Sequence, residues 1–233
     1  MRLGSLFAGV GGLELGLERA IPGAHTVWQV EKDPYARAVL AKHWPNSDRS
    51  VIDVRQANAG NLEPVDLICG GFPCQDISTA GKQAGIDGER SGLWSEYARL
   101  IGEIRPRFVV VENVSALLSR GLDRVLGDLA TCGYDAVWDC IPAASVGAPH
   151  RRDRLFIVAH ARSRRHRTPA EPICAGWVRS VIRRGWELEP DLGRVADGVP
   201  SRVDRLRCLG NAVVPQVAEV VGRVVLQIQG GAL

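Results

Sequence analysis

Lysine is almost missing from this chain. Only 3 of its 29 basic residues are lysines, so arginine carries nearly all of the positive charge. Methionine occurs once, and aromatic residues make up 6%. No apolar run reaches the length of about eighteen residues that argues for a membrane span. The stretch from Met1 to Phe7 is too short and too glycine-broken for a signal peptide, and it reads as a first strand. Six cysteines stand at 69, 74, 132, 140, 174 and 208. No two of them form a Cys-x-x-Cys pair and no His-x-x-x-His cluster accompanies them, so structural zinc and a metal centre are not expected. A disulfide scaffold is equally unexpected in a chain of 233 residues with no secretion signal. These absences predict a reduced, cytoplasmic protein.

What is present starts with an uneven charge. The net charge is +3, but residues 1–150 carry 14 basic and 18 acidic side chains, whereas 151–233 carry 15 and 8. Ten arginines crowd into 151–184 against Asp153 and Glu171 alone. A local basic excess of this kind suits a polyanion, with nucleic acid first among them.

Strand-like and helix-like segments alternate over the first 160 residues. Strands are expected at Leu3 to Phe7, Thr26 to Val30, Val51 to Val54, up to Gly70, up to Val111, Tyr134 to Ile141 and Arg154 to Ala159. Helices are expected at Leu13 to Ala20, at Pro34 to His43 with Asp33 as N-cap, near Leu93 to Ile104, and at Leu122 to Cys132 closed by Gly133. This alternation predicts an α/β fold with a mostly parallel sheet and helices on both faces. The pattern breaks over 160–203. It returns with Val214, Val217, Val221, Val224, Val225 and Ile228 on one helical face, expected to pack back on the sheet. The expected division is a main domain of 1–159 with 204–233 and a small region of 160–203.

Two local arrangements point to a site. Phe7-Ala8-Gly9-Val10-Gly11-Gly12 joins the first strand to the first helix, where glycines let a ligand approach backbone N–H groups. Position 14 is Glu14 where the dinucleotide fingerprint wants glycine, which weakens the NAD reading. Glu31 ends the second strand and is placed to accept ribose hydroxyls. Asp53 ends the expected third strand, placed either to accept an adenine amino group or to cap a helix. Together they point to an adenosine-containing cofactor. The second arrangement is Cys74 in Gly70-Gly71-Phe72-Pro73-Cys74-Gln75 and Glu112 in Val111-Glu112-Asn113-Val114, each read as lying just past a strand end. Sites of open α/β sheets lie beyond the carboxyl ends of the strands, so the pair reads as a nucleophile with an acid/base partner.

These motifs, with Arg151-Arg152-Asp153-Arg154 and Gly210-Asn211-Ala212-Val213-Val214-Pro215, occur in the order in which the chain resembles the DNA (cytosine-5) methyltransferases. The resemblance covers residues 1–159 and about 202–226. It implies a Rossmann-like fold, S-adenosylmethionine as cofactor and a flipped cytosine in double-stranded DNA as substrate. Cys74 would attack ring carbon 6, Glu112 would act at ring nitrogen 3, and Arg154, with Arg152 less directly, would contact the base. Phe7, Gly9, Gly11, Gly12, Glu31, Asp53, Pro73, Leu93 and Asn211 would line the cofactor pocket. Gln75, Ser78 and Lys82 on a glycine-rich loop, with Arg162, Arg164 and Arg165 beyond the arginine strand, would meet DNA. The 44 or so residues of 160–203 make a short target-recognition region, His150 stands where glutamine is more usual, and Ala80 where a second serine is expected. The resemblance further implies a monomer, a phage or prophage setting, and pairing with a cognate restriction endonuclease. The same chemistry on tRNA and a non-catalytic DNA-binding module are the competing readings.

Overall fold

The computed structural model describes residues 1–73, 93–162 and 202–230. In chain order they form β1 (Arg2–Leu6), α1 (Gly12–Ala20), β2 (His25–Val30), α2 (Pro34–His43), a 3-10 turn (Val54–Gln56), β3 (Leu67–Gly71) and α3 (Leu93–Ile104). Then come β4 (Phe108–Val114), α4 (Leu117–Arg120), α5 (Leu122–Thr131), β5 (Tyr134–Pro142), a second 3-10 turn (Ala143–Val146), β6 (Asp153–Ala161), α6 (Arg202–Asn211) and α7 (Pro215–Gly230).

Six strands lie in the order β2-β1-β3-β4-β6-β5. The first four are parallel neighbours, and β6 runs antiparallel to both β4 and β5. Central strands covered on both faces read as continuous apolar runs. Phe108 to Val111 is such a run, and its side chains alternate between two cores. Val109 and Val111 join Ile68, Trp94, Tyr97, Leu100 and Val125 under α3 and α5. Phe108 and Val110 join Leu3, Leu17, Leu67, Val217, Val221 and Val225 under α1 and α7.

Several expectations hold closely. α2 spans Pro34–His43, and Asp33 Oδ1 accepts from the N–H groups of Tyr35 and Ala36 at 2.9 and 3.0 Å. α5 ends where Gly133 turns with φ of +90°.

Two expectations are corrected. The segment from Val51 to Val54 is not a strand. Beyond β2 there is only an isolated bridge from Trp28 to Asp48, and Asp53 takes the N–H of Arg55 to start the 3-10 turn. Glu112 does not follow β4 but lies within it, because β4 pairs with β6 through Val114. The last helix packs back on the sheet as expected, sharing a core with Leu3, Leu67, Phe108 and Val110, and it also runs close against α1. Glycines make that approach possible. A Cβ at Gly16 would stand 2.3 Å from Ala218 Cβ, and one at Gly222 would stand 2.6 Å from Ala20 Cβ. The stretch Cys208–Gly230 reaches membrane-span length with a mean hydropathy of 1.3, which the sequence reading had not found. It is two helices separated at Ala212 to Val214, and eight residues of the second are buried within the fold.

Candidate active site

At the carboxyl ends of the parallel strands lies a cavity of about 440 Å3. The turn after β1 shapes one end. Phe7, Gly9 and Gly11 have φ of +55°, +56° and +87°. Such values are strained for phenylalanine and easy for glycine, and strain of this kind collects at ligand sites. The Gly9 N–H donates to Glu31 Oε2 at 2.8 Å, and the Asp33 N–H donates to Glu31 Oε1 at 2.7 Å. Two backbone donors thus fix the Glu31 carboxylate. A carboxylate has about four acceptor positions, so each oxygen keeps room for a further donor.

Asp53 also lines the cavity, but its acceptor positions are taken. Arg55 reaches Oδ1 through its backbone N–H and Nε, and reaches Oδ2 through Nη2 at 2.8 Å, with Lys32 Nζ 3.5 Å from Oδ2. The Arg55 hydrogen bond is the main reason that the Asp53 pKa is lowered to about 2. The capping role weighed for Asp53 from sequence is therefore present, together with its place at the cavity.

The other end of the cavity holds Phe72, Pro73, Glu112, Asn113 and Arg154. Gly71 pairs with Glu112 across β3 and β4, and a Cβ at Gly71 would stand 2.5 Å from Glu112 Oε2. Only glycine leaves space there for the carboxyl group. Arg154 Nε lies 3.1 Å from Glu112 Oε1. Burial pushes the Glu112 pKa up to about 7, opposed by the charges of Arg154 and Arg152. Asn113 Nδ2 donates to the Phe72 carbonyl at 3.1 Å, tying the start of the Pro-Cys segment to the strand that carries Glu112. Cys74 itself, with Gln75, Ser78, Lys82, Arg164 and Arg165, lies outside the described residues.

Of the residues expected at the cofactor, Phe7, Gly9, Glu31, Asp53, Pro73, Leu93 and Asn211 line this one cavity. Gly11 and Gly12 do not. Gly11 packs beneath Trp44, and Gly12 sits against the Val213 carbonyl, where a Cβ would stand 2.2 Å from the oxygen. Both glycines are needed for close packing of the chain. Arg152 donates through Nη2 to the carbonyls of Gly210 and Ala212, at 2.8 and 2.6 Å, so it holds the segment that carries Asn211. Arg162 is not brought near Glu112. It pairs with Asp135 at 2.9 Å at the far end of β6, roughly 26 Å from Arg154 at about 3.3 Å per residue. The sequence reading missed Arg55 and Lys32 at the cavity. Their signal was a basic residue two positions after Asp53 and another right after Glu31.

An open α/β sheet with a glycine turn after β1 and a fixed acid after β2 defines the Rossmann-like class of adenosine-cofactor proteins. The family model for C-5 cytosine-specific DNA methylase matches residues 1–176, and the chain belongs to that family. It is 34% identical over 220 residues to the Type II methyltransferase M2.BsuMI of Bacillus subtilis, covering 90% of this chain and 50% of that protein. It is 40% identical over 159 residues to the Type II methyltransferase M.PspPI of Psychrobacter, covering 66% and 38%. Among solved structures it resembles a protein described as a prophage-encoded DNA modification methyltransferase of E. coli. The TM-score is 0.61 at 28% identity, covering 72% of this chain and 49% of that one. The chain spans about half, or less, of the length of these relatives.

Proposed function

We propose that this chain carries out cytosine-5 methylation of DNA with S-adenosylmethionine, through a transient bond between Cys74 and the base. The observation that carries this reading is the Glu112–Arg154 pair on the wall of the cavity that Glu31 also lines. The segment that ends at Pro73, one residue before Cys74, lines the same cavity.

The residues suit the cofactor. The cavity volume falls in the range of small-molecule sites. Glu31 keeps acceptor capacity for a pair of hydroxyls, and Phe7, Leu93 and Ile52 offer apolar surface for a base. Phe7, Gly9, Glu31, Leu93 and Asn211 would hold S-adenosylmethionine, which when bound supplies an electrophilic methyl group, with Asp53 joining them if the cofactor displaces Arg55 or Lys32 from its carboxylate.

The chemistry assigned to the chain is as follows. The Cys74 thiolate adds to carbon 6 of a cytosine turned out of the duplex. Glu112 gives its proton to ring nitrogen 3 and so balances the charge that the addition creates. With a pKa of about 7, Glu112 holds a proton in a good fraction of molecules near neutral pH, as a general acid should. Arg154 keeps the Glu112 carboxyl in place. Carbon 5, made electron-rich, takes the methyl group. Carbon 5 then gives its proton to solvent, the bond between carbon 6 and sulfur breaks to return the thiolate, and ring nitrogen 3 returns its proton to Glu112, which restores the ring.

Gln75, Ser78, Lys82, Arg164 and Arg165 are proposed to meet the DNA. The names of the relatives support a bacterial or phage cytoplasmic setting and, as a further proposal, pairing of a monomeric chain with a restriction endonuclease. The test is transfer of labelled methyl groups to cytosine-containing duplexes, with Cys74→Ser as control and tRNA assayed in parallel. DNA containing 5-fluorocytosine should trap a covalent complex with the native chain. No transfer and no trapping on any duplex would refute the proposal.

A further inference from the structure

Beside the glycine turn, adjoining the main cavity, lies a second, smaller and partly open space of about 40 Å3. Its wall includes Ser5, Glu14, Gly71, Glu112 and Asn211. Glu112 therefore lines both spaces. The volume exceeds the roughly 10–15 Å3 that one water needs.

Glu14 has no exposed surface. Neither of its oxygens has a hydrogen-bond partner among the described residues, and the same is true of Ser5 Oγ and Gln29 Nε2. Ser5, Gln29 and the Glu14 backbone N–H lie near enough to favour the charged carboxyl against its burial, but none of them reaches hydrogen-bonding geometry. Buried polar groups left unpaired are rare and costly, and a polar, roomy chamber beside them is where internal water resides.

We propose that water in this chamber joins Glu14 to Glu112, and that Glu14 is a positioning residue for the Glu112 proton. The proposal rests on the reading of Glu112 as the acid at ring nitrogen 3. Arg154 engages Glu112 Oε1, while Oε2 faces Gly71, which also lines the chamber. A proton leaving Glu112 breaks an O–H bond there as water takes it up. Water passes a proton on, and a new O–H bond forms on the Glu14 carboxylate. The reverse path returns it, and no redox partner is required.

The surroundings suit such an exchange. Glu14 is faced by Ser5 on β1, Gln29 on β2, Cys69 on β3 and Glu18 on its own helix. Glu112 is faced by Arg154 and by Arg152 at the start of β6. Burial raises both carboxyls to about 7, so each can hold or release a proton near neutral pH. Groups that interact this way titrate as a pair.

The test is an infrared titration of protonated carboxyl bands in the full chain, without DNA or cofactor. Glu14→Gln should remove one band and shift the midpoint of Glu112 by a factor of at least three in proton affinity. Glu112→Gln should do the same to Glu14. In an active preparation, Glu14→Gln should move the pH profile of transfer while leaving cofactor KM unchanged. An unchanged Glu112 midpoint in folded Glu14→Gln overturns the proposal, as does a high-resolution crystal structure of the native chain with a dry chamber. The titration needs no methyl transfer, so its failure is separate from failure of the proposed function.

Discussion

Arg154 and Glu112 meet diagonally across an antiparallel strand pair. Arg154 is registered opposite Val114, two residues along β4 from Glu112, and Arg154 Nε lies 3.1 Å from Glu112 Oε1. Residues two apart on a strand share a face, so the β4–β6 register itself creates the contact.

Removing Arg154 should leave Glu112 harder to ionise. Burial already raises its pKa, and Arg154 is the chief influence opposing that. Arg154→Gln is expected to slow transfer by roughly 100-fold or more. Its stability cost should be larger at about pH 8 than at about pH 4. A double-mutant cycle with Glu112→Gln checks this, because the pH dependence should vanish once the carboxyl is gone.

Glu14 should make the fold less stable as pH rises. Its pKa is raised by burial from 4.5 to about 7. Below 4.5 both folded and unfolded chains keep the proton. Between 4.5 and about 7 only the folded chain does, so stability falls through that window and then levels off. Glu14→Gln should therefore add stability at about pH 8, by up to about 3 kcal/mol, and change little at about pH 4. Urea denaturation at the two pH values measures the difference. Equal effects at both would contradict the assignment.

Glu31→Gln should weaken S-adenosylmethionine binding by roughly 10- to 100-fold, the worth of hydrogen bonds to a charged group. One side-chain oxygen becomes an NH2 facing the N–H of Gly9 or Asp33, two donors with no acceptor between them. Isothermal titration calorimetry on the cofactor alone reads this without DNA.

Gly16→Ala and Gly127→Ala should have opposite effects although both replace a helical glycine. A Cβ at Gly16 meets Ala218 Cβ and the Pro215 carbonyl oxygen at 2.3 Å, so α7 must move, at about 1–3 kcal/mol. A Cβ at Gly127 in α5 meets nothing within 4 Å, so the change should stabilise by about 0.5–1 kcal/mol. Thermal unfolding of the two variants compares them directly.

Local signals were legible wherever local physics decides. Asp33 before Pro34 marks a helix start because the carboxylate satisfies N–H groups two and three residues on, and the structure has those bonds. Val51 to Val54 misled because a short apolar run becomes a strand only where a neighbouring strand receives it, and among the described residues the isolated bridge from β2 falls at Asp48, before that run. Glu14 was read only as a departure from a glycine pattern. Its side chain is buried against Ser5, Gln29 and Cys69 of three different strands, and that burial is invisible until α1 is laid on the sheet.

The sequence by itself determined the α/β alternation, the order of the motifs and the kinds of side chain available. Those follow from periodicity, capping and the chemistry of neighbouring residues. Only the tertiary structure decided which side chains share a wall. It put Arg154 on Glu112, Arg152 on the segment carrying Asn211, and Arg162 at the far end of its strand. It also buried Glu14 and Glu112 around one small chamber and raised both pKa values to about 7. The reason is that strand register and desolvation depend on chain segments far apart in sequence, whose meeting no local pattern records.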